Sequence, residues 1–173
     1  MAEPVAIRRL APQDLGEYKG LRDTLLAAHP EAFTSDAAAE RMRQPDSYFA
    51  RLGVDRTDGG QFTFGAWQGS RLVGALGCER DMRVKVQHIA HLIGLMVHAD
   101  ARNTGVGGAL LAACVHTARA AHGIVMLTLS VTAGNTAALR LYERAGFSHY
   151  GNLPRAICVD GQYHAKEYMV LML

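Results

Sequence analysis

The sequence predicts an α/β fold: one mixed central sheet of about six or seven strands with helices on both faces. Three observations predict it. Short apolar or β-branched runs cluster early, at 5–10, 62–67 and 72–78. Strand and helix patterns then alternate from His88 to the end of the chain. That alternation contains a strand–helix–strand unit, which implies a parallel crossover inside the sheet. The chain has 173 residues, enough for one hydrophobic core and short of two, so a single domain over 1–173 is expected.

The elements follow in order. Val5 to Leu10 reads as the first strand, closed by Pro12. From Asp14 to Ala28, apolar residues recur at Leu15, Tyr18, Leu21, Leu25 and Leu26, a helical spacing that ends before Pro30. Thr34 to about Leu52 is a polar, alanine-rich helical region broken near Pro45. Asp58-Gly59-Gly60 marks a loop, and Phe62–Trp67 and Leu72–Cys78 form a hairpin through Gln68-Gly69-Ser70-Arg71. His88–Val97 is a central strand, followed by a helix over Gly105–Ala121 and a strand over Ile124–Val131. A helix over Asn135–Ala145 comes next. Phe147–Tyr150 and Tyr163–Leu171 are the last two strands.

Composition narrows the function. Hydrophobic residues make up 49% and charged residues 20%, values of an ordinary soluble globular domain rather than a disordered chain. The net charge of +2 is mild and the arginines are scattered, which argues against nucleic acid as a partner. Met1 to Leu10 has no apolar run of signal-peptide length, and no stretch reaches the roughly 18 apolar residues of a membrane span. A cytoplasmic protein without a membrane partner is expected. Cys78, Cys114 and Cys158 are odd in number and far apart, which suits free thiols in a reducing compartment. Cys114 shares a helical stripe with Val106, Leu110, Leu111, Val115 and Ala118 and reads as a core thiol. No metal site is expected: His88 and His91 differ in strand parity, and no clustered Cys/His spacing occurs.

The segment richest in chemistry runs from Gly94 to Leu111. A strand ends, a loop of small and polar residues turns the chain, and an apolar helix begins. Gly105 and Gly107 let the backbone approach a ligand with no Cβ in the way. The free N–H groups of the first helical turn and the helix dipole favour an anion there. Arg102 and Thr104 can add a charge-assisted bond and a hydroxyl bond. The Walker pattern fails for want of Gly-Lys-Ser/Thr, and the dinucleotide fingerprint fails because Leu110 stands in place of its third glycine. Arg-x-x-Gly-x-Gly, at Arg102, Gly105 and Gly107, does fit. Downstream, Asn135 is a natural N-cap, Ala138 and Tyr142 follow on the same helical face, and Gly146 occupies a C-terminal glycine stop before Phe147.

The two segments together resemble the signatures of the GNAT N-acetyltransferase superfamily, Arg-x-x-Gly-x-Gly followed by Asn-x-x-Ala-x-x-Leu-Tyr and Gly-Phe. The resemblance covers Gly94 to Phe147 closely and the flanks by strand order. It implies acetyl-CoA as acyl donor, held between His88–Val97 and Ile124–Val131. Leu95, Met96 and Val97 would face the pantetheine arm and thioester. Arg102, Asn103, Thr104, Gly105, Val106 and Gly107 would take the pyrophosphate, and Asn135, Ala138 and Tyr142 would line the other side. It further implies direct attack of a neutral amine on the thioester, with an N–H near Val97 as oxyanion donor and Tyr142 as general acid. Glu79 and His91 are the candidate bases, each with a structural role as the alternative.

The acceptor is a primary amine on a small molecule or, alternatively, on a peptide or protein N-terminus or lysine. A catalytically silent acetyl-CoA-binding domain and an enzyme for longer acyl chains are further alternatives, and the protein is expected to be a monomer or homodimer. His29 to Phe49 and Gly151 to His164 are expected to wall the acceptor site, with Phe33, Tyr48 and Tyr163 as candidate lining residues.

Overall fold

The computed structural model describes residues 4–173, so Met1 to Glu3 of the N-terminal segment read above lie outside the described residues. One seven-stranded sheet has the order β1-β2-β3-β4-β5-β7-β6. Its strands are β1 (Val5–Arg9), β2 (Gln61–Gln68), β3 (Arg71–Arg80), β4 (Ile89–Val97), β5 (Met126–Thr132), β6 (Ser148–Val159) and β7 (Gln162–Met172). Every neighbouring pair is antiparallel except β4 and β5. The parallel pair needs a crossover, and α3 (Val106–Ala120) supplies it. The mixed sheet with its βαβ unit is therefore the one expected.

Helices cover both faces. On one, α3 buries Val106, Leu110, Leu111, Cys114, Val115 and Ala118, the stripe read from spacing. These pack with Leu92, Leu127, Leu129, Tyr142 of α4 (Thr136–Arg144) and Phe147. On the other face, α1 (Leu15–Ala28) and the 3-10 segment Pro45–Leu52 pack Leu21, Leu25, Leu26 and Tyr48 against Leu72, Ala75 and Met96. Each fully buried Leu contributes about 1.5–3 kcal/mol.

Two features differ from expectation. The region from Thr34 to Leu52 is a short helix α2 (Ala37–Arg41) followed by 3-10 turns, because Pro45 forces a restart. β6 runs to Val159 rather than ending near Tyr150. Its residues 148–155 are all exposed, so no apolar alternation marks them as strand; main-chain pairing with β7 holds them instead.

The α1 face contains a buried charge cluster. Arg22 donates from Nε and Nη2 to Glu40 Oε2 at 3.2 and 2.9 Å, the Tyr48 hydroxyl donates to the same oxygen, and Arg43 reaches Oε1 at 3.2 Å. Burial pushes the Glu40 carboxyl up, but the hydrogen bonds from Tyr48 and Arg22 and the guanidinium charge outweigh it and hold it at about 2. The cluster ties α1, α2 and the 3-10 segment together. A carboxyl depressed on folding stabilises above its ordinary 4.5 and ceases to as pH falls through 2. Glu40→Gln should therefore lose about 3 kcal/mol at pH 7, because Arg22 is left buried without its counter-charge. Urea unfolding should also show a shallower stability decline between pH 4.5 and 2 than in the parent protein. An unchanged pH profile would remove Glu40 from this role.

Candidate active site

The site begins with an interruption of the sheet. β4 pairs with β5 only through Ile89–Met126, Ala90–Leu127 and His91–Thr128; from Leu92 onward the two strands are not bonded. On its other side β4 pairs with β3, but one residue of β3, Leu76, faces two of β4 between Ile93 and Met96. This is a β-bulge, and Gly94 accommodates it at φ +63°. The bulge reverses which residues face which helices. Before it, Ala90 and Leu92 enter the α3-side core; after it, Met96 enters the α1-side core while Leu95 and Val97 turn toward α3. A Cβ on Gly94 would stand 3.8 Å from Arg22 Nη1, so the charge cluster backs the bulge directly.

Beyond the interruption lies a cavity of about 830 Å³. Leu95, Met96 and Val97 line it from β4, and Arg102, Asn103, Gly105, Val106 and Gly107 line it from the loop and the start of α3. Asn135 and Ala138 line it from α4. Of the residues expected around the cofactor, only Thr104 and Tyr142 are not on its wall. The loop is bent by Asn103 at φ +60° and Gly105 at φ +87°. It delivers the first-turn N–H groups of α3 to the cavity with no acidic residue in that turn to neutralise them. At Gly107 an added Cβ would meet Leu141 at 3.4 Å, so the bare backbone keeps the approach open.

Thr104, expected at the pyrophosphate, donates its hydroxyl in this structure to the Ala101 carbonyl at 2.6 Å, which closes the loop. Arg102 donates from Nε to the Val97 carbonyl at 3.3 Å, and its Nη2 lies 2.7 Å from His29 Nε2.

The second signature has a mechanical reading. The Asn135 side chain caps α4 by accepting from the Ala138 N–H at 3.2 Å. At the other end Gly146 adopts φ +95°, its N–H donates to Glu143 O at 3.0 Å and the Phe147 N–H to Tyr142 O at 3.1 Å. This is a Schellman closure, and its apolar contact is the edge-to-face pair Tyr142–Phe147 at 5.9 Å. Tyr142 is thus locked into the α3-side core at 6% exposure. Burial foremost, then the neighbouring Cys114, raises its phenol far above the usual range, so it stays protonated. The stripe of α4 that reaches the cavity is Ala137, Ala138, Leu141 and Arg144, rotated from the face expected through Tyr142.

Glu79 and His91 stand apart from the cavity wall. They are register partners on β3 and β4, and His91 Nδ1 is hydrogen-bonded to Thr128 Oγ1 on β5. Both lie on the α1 face, since Ala90 and Leu92 between and beside them point the other way. Of the expected acceptor wall, His29, Glu31, Ala32, Phe33 and His164 line the cavity. Tyr48 does not: it is buried against Glu40. Tyr163 is 60% exposed, with Arg155 over its ring. Arg144 was not anticipated; the helical spacing Ala137–Leu141–Arg144 carried its signal.

No helix among the described residues is long and apolar enough to cross a membrane. No cluster of three or more His, Cys, Asp or Glu among them is placed to hold a metal ion.

The sequence and the fold resemble those of known proteins. Over 129 residues the chain is 30% identical to the mycothiol acetyltransferase of Geodermatophilus obscurus, covering 72% of this chain and 38% of that protein. The chain thus spans well under half the length of that relative. The fold matches the GNAT-family acetyltransferase of Streptococcus pneumoniae with a TM-score of 0.88 at 23% identity, over 98% of this chain and 100% of that one. It matches yncA of Salmonella typhimurium, solved with its cofactor acetyl-CoA, with a TM-score of 0.83 at 18% identity, over 98% and 94% of the two chains. The model of the acetyltransferase (GNAT) family matches residues 19–147, from α1 through the Gly146-Phe147 closure, and the chain belongs to that family.

Proposed function

We propose that this protein transfers an acetyl group from acetyl-CoA to a primary amine on a small molecule. The observation that carries the reading is the opening between β4 and β5 beyond His91, set beside an α3 N-terminus free of acidic residues. Such an opening leaves the end of β4 without a strand partner on the β5 side, where an amide-bearing arm can take up the sheet's hydrogen bonds. The residues fit the donor. Val106 and Gly107, with Arg102 and Asn103, would hold its pyrophosphate, and Ala138 and Leu141 would flank it. Acetyl-CoA supplies the activated acyl group; the chain supplies position and electrostatics.

The proton traffic divides between the two faces of the sheet. An acceptor ammonium loses its proton through water to His91, with Glu79 beside it, on the α1 face. An N–H near Val97 stabilises charge on the carbonyl oxygen. As the new N–C bond forms and the C–S bond breaks, Tyr142 on the α3 face protonates the departing sulfur. At reference values a phenol is a weaker acid than a thiol. Burial raises the Tyr142 phenol as well, so the proton moves only as the C–S bond breaks and the sulfur gains its full thiolate charge. The net reaction from an alkylammonium releases one proton.

Arg102→Ala should weaken acetyl-CoA binding by about 1.5–3 kcal/mol through loss of a charge-assisted hydrogen bond, read by calorimetric titration. Wild-type affinity would take Arg102 out of the site. Tyr142→Phe should lower turnover about 100-fold while acetyl-CoA affinity stays near the parent value. Normal turnover with a large affinity loss would contradict its acid role, and thiol release that no amine stimulates would overturn amine acetylation itself.

A further inference from the structure

On the α1 face, next to residues that line the cavity, stands a cation with no ion-pair partner among the described residues. Lys166 of β7 is the register partner of Thr132 of β5, and Thr132 lines the cavity. The Thr132 hydroxyl donates to the Glu31 carbonyl at 2.7 Å, so this edge of the sheet is crossed by the segment 30–34. The Lys166 ammonium donates to Thr34 Oγ1 at 2.6 Å, a neutral partner next to cavity-lining Phe33. It forms no ion pair among the described residues, although the side chain is half-buried. Burial accordingly pulls its pKa below the ordinary lysine value. Its neighbour Glu167 does not help: it points to the other face, where it accepts from Asn152 Nδ2 at 2.9 Å. His164, two residues before Lys166 and so on the same face of the strand, also lines the cavity.

An ammonium with no counter-ion, carried on a half-buried side chain, favours a bound anion beside it. The surrounding wall is apolar at Leu25, Phe33, Leu95 and Met96. We propose that the acceptor is an amino-acid-like amine, with a carboxylate held by Lys166 and His164 and an apolar body against Leu25 and Phe33. This rests on the acetyl-transfer reading above and narrows it to a substrate class. The carboxylate end is fixed at the β7 side, which directs the amine toward the opening where β4 and β5 separate.

The test compares leucine, methionine and phenylalanine with their C-terminal amides, which keep the amine and the side chain but lose the negative charge. The wild-type protein should have the higher kcat/KM for the acids. Lys166→Met should raise KM for the acids about 10- to 100-fold while leaving KM for the amides and the Kd for acetyl-CoA unchanged. Lys166→Arg should recover part of the loss. Calorimetric titration of leucine into the CoA-bound protein should show the same weakening, independently of turnover. Better turnover of the amides, or equal loss for acids and amides in Lys166→Met at an unchanged melting temperature, would overturn this inference and leave acetyl transfer standing. Failure of every amine to release thiol would instead overturn the acetyl-transfer reading beneath it.

Discussion

The site depends on a sheet that stops being a sheet at one place. Two parallel strands normally bond along their shared length, yet β4 and β5 bond only as far as His91. The departure coincides with an extra residue in β4, and the only backbone there able to take φ +63° without strain is Gly94. The bulge bends β4 away from β5, frees its last main-chain groups and inverts its side-chain parity. Leu95 and Val97 therefore reach the same side as α3 and α4, while Met96 seals the α1 side. A regular strand would place these three residues the other way round and close the gap.

Such a break has to be supported from behind. The Arg22–Glu40–Tyr48 cluster does this on the α1 face, where Arg22 lies against Gly94 and is held by a carboxylate that accepts from two other side chains. Buried ion pairs add little net stability compared with well-packed apolar residues. Their use here is positional: the guanidinium fills the space that a Cβ at Gly94 would approach, and the same contacts fasten α1 and α2. The chain from the end of α1 to Thr34 is in turn tied to β5 and β7 by Thr132 and Lys166. The segment proposed to wall the acceptor site and the strand opening thus share one scaffold.

Much of this was legible in the sequence, and the parts that were not share a physical cause. The Arg102–Gly107 turn, the α3 stripe around Cys114 and the caps at Asn135 and Gly146 were readable because each is local: a φ requirement, a period of 3.6 or a cap spacing fixes it within a few residues. The β4 bulge was not, since Gly94 inside an apolar run resembles any strand glycine until its partner strand is known. The length of β6 was hidden because an exposed edge strand has no apolar alternation. The bond from Thr104 to Ala101 was hidden because a hydroxyl beside a phosphate loop and one bonded to a loop carbonyl look alike in sequence. Glu40 and Tyr48 are eight residues apart, but their link to Arg22 is made only by tertiary packing.

The division of the sheet into two faces also gives the proposed chemistry its direction. His91 and Glu79 lie on the α1 face, with the polar residues Thr128 and Thr132 along the neighbouring strand. Tyr142 lies on the α3 face, in a core that raises the proton affinity of every acidic group within it, as Cys78 and Cys114 show. A group that must accept a proton from an ammonium benefits from polar surroundings and access to water. A buried phenol holds its own proton more tightly too, so Tyr142 would give it up only to a thiolate desolvated to a like degree. One layer of backbone separates the two environments, and within it β4 and β5 part beyond His91. That opening is where an amine approaching from one face and a sulfur leaving toward the other would meet.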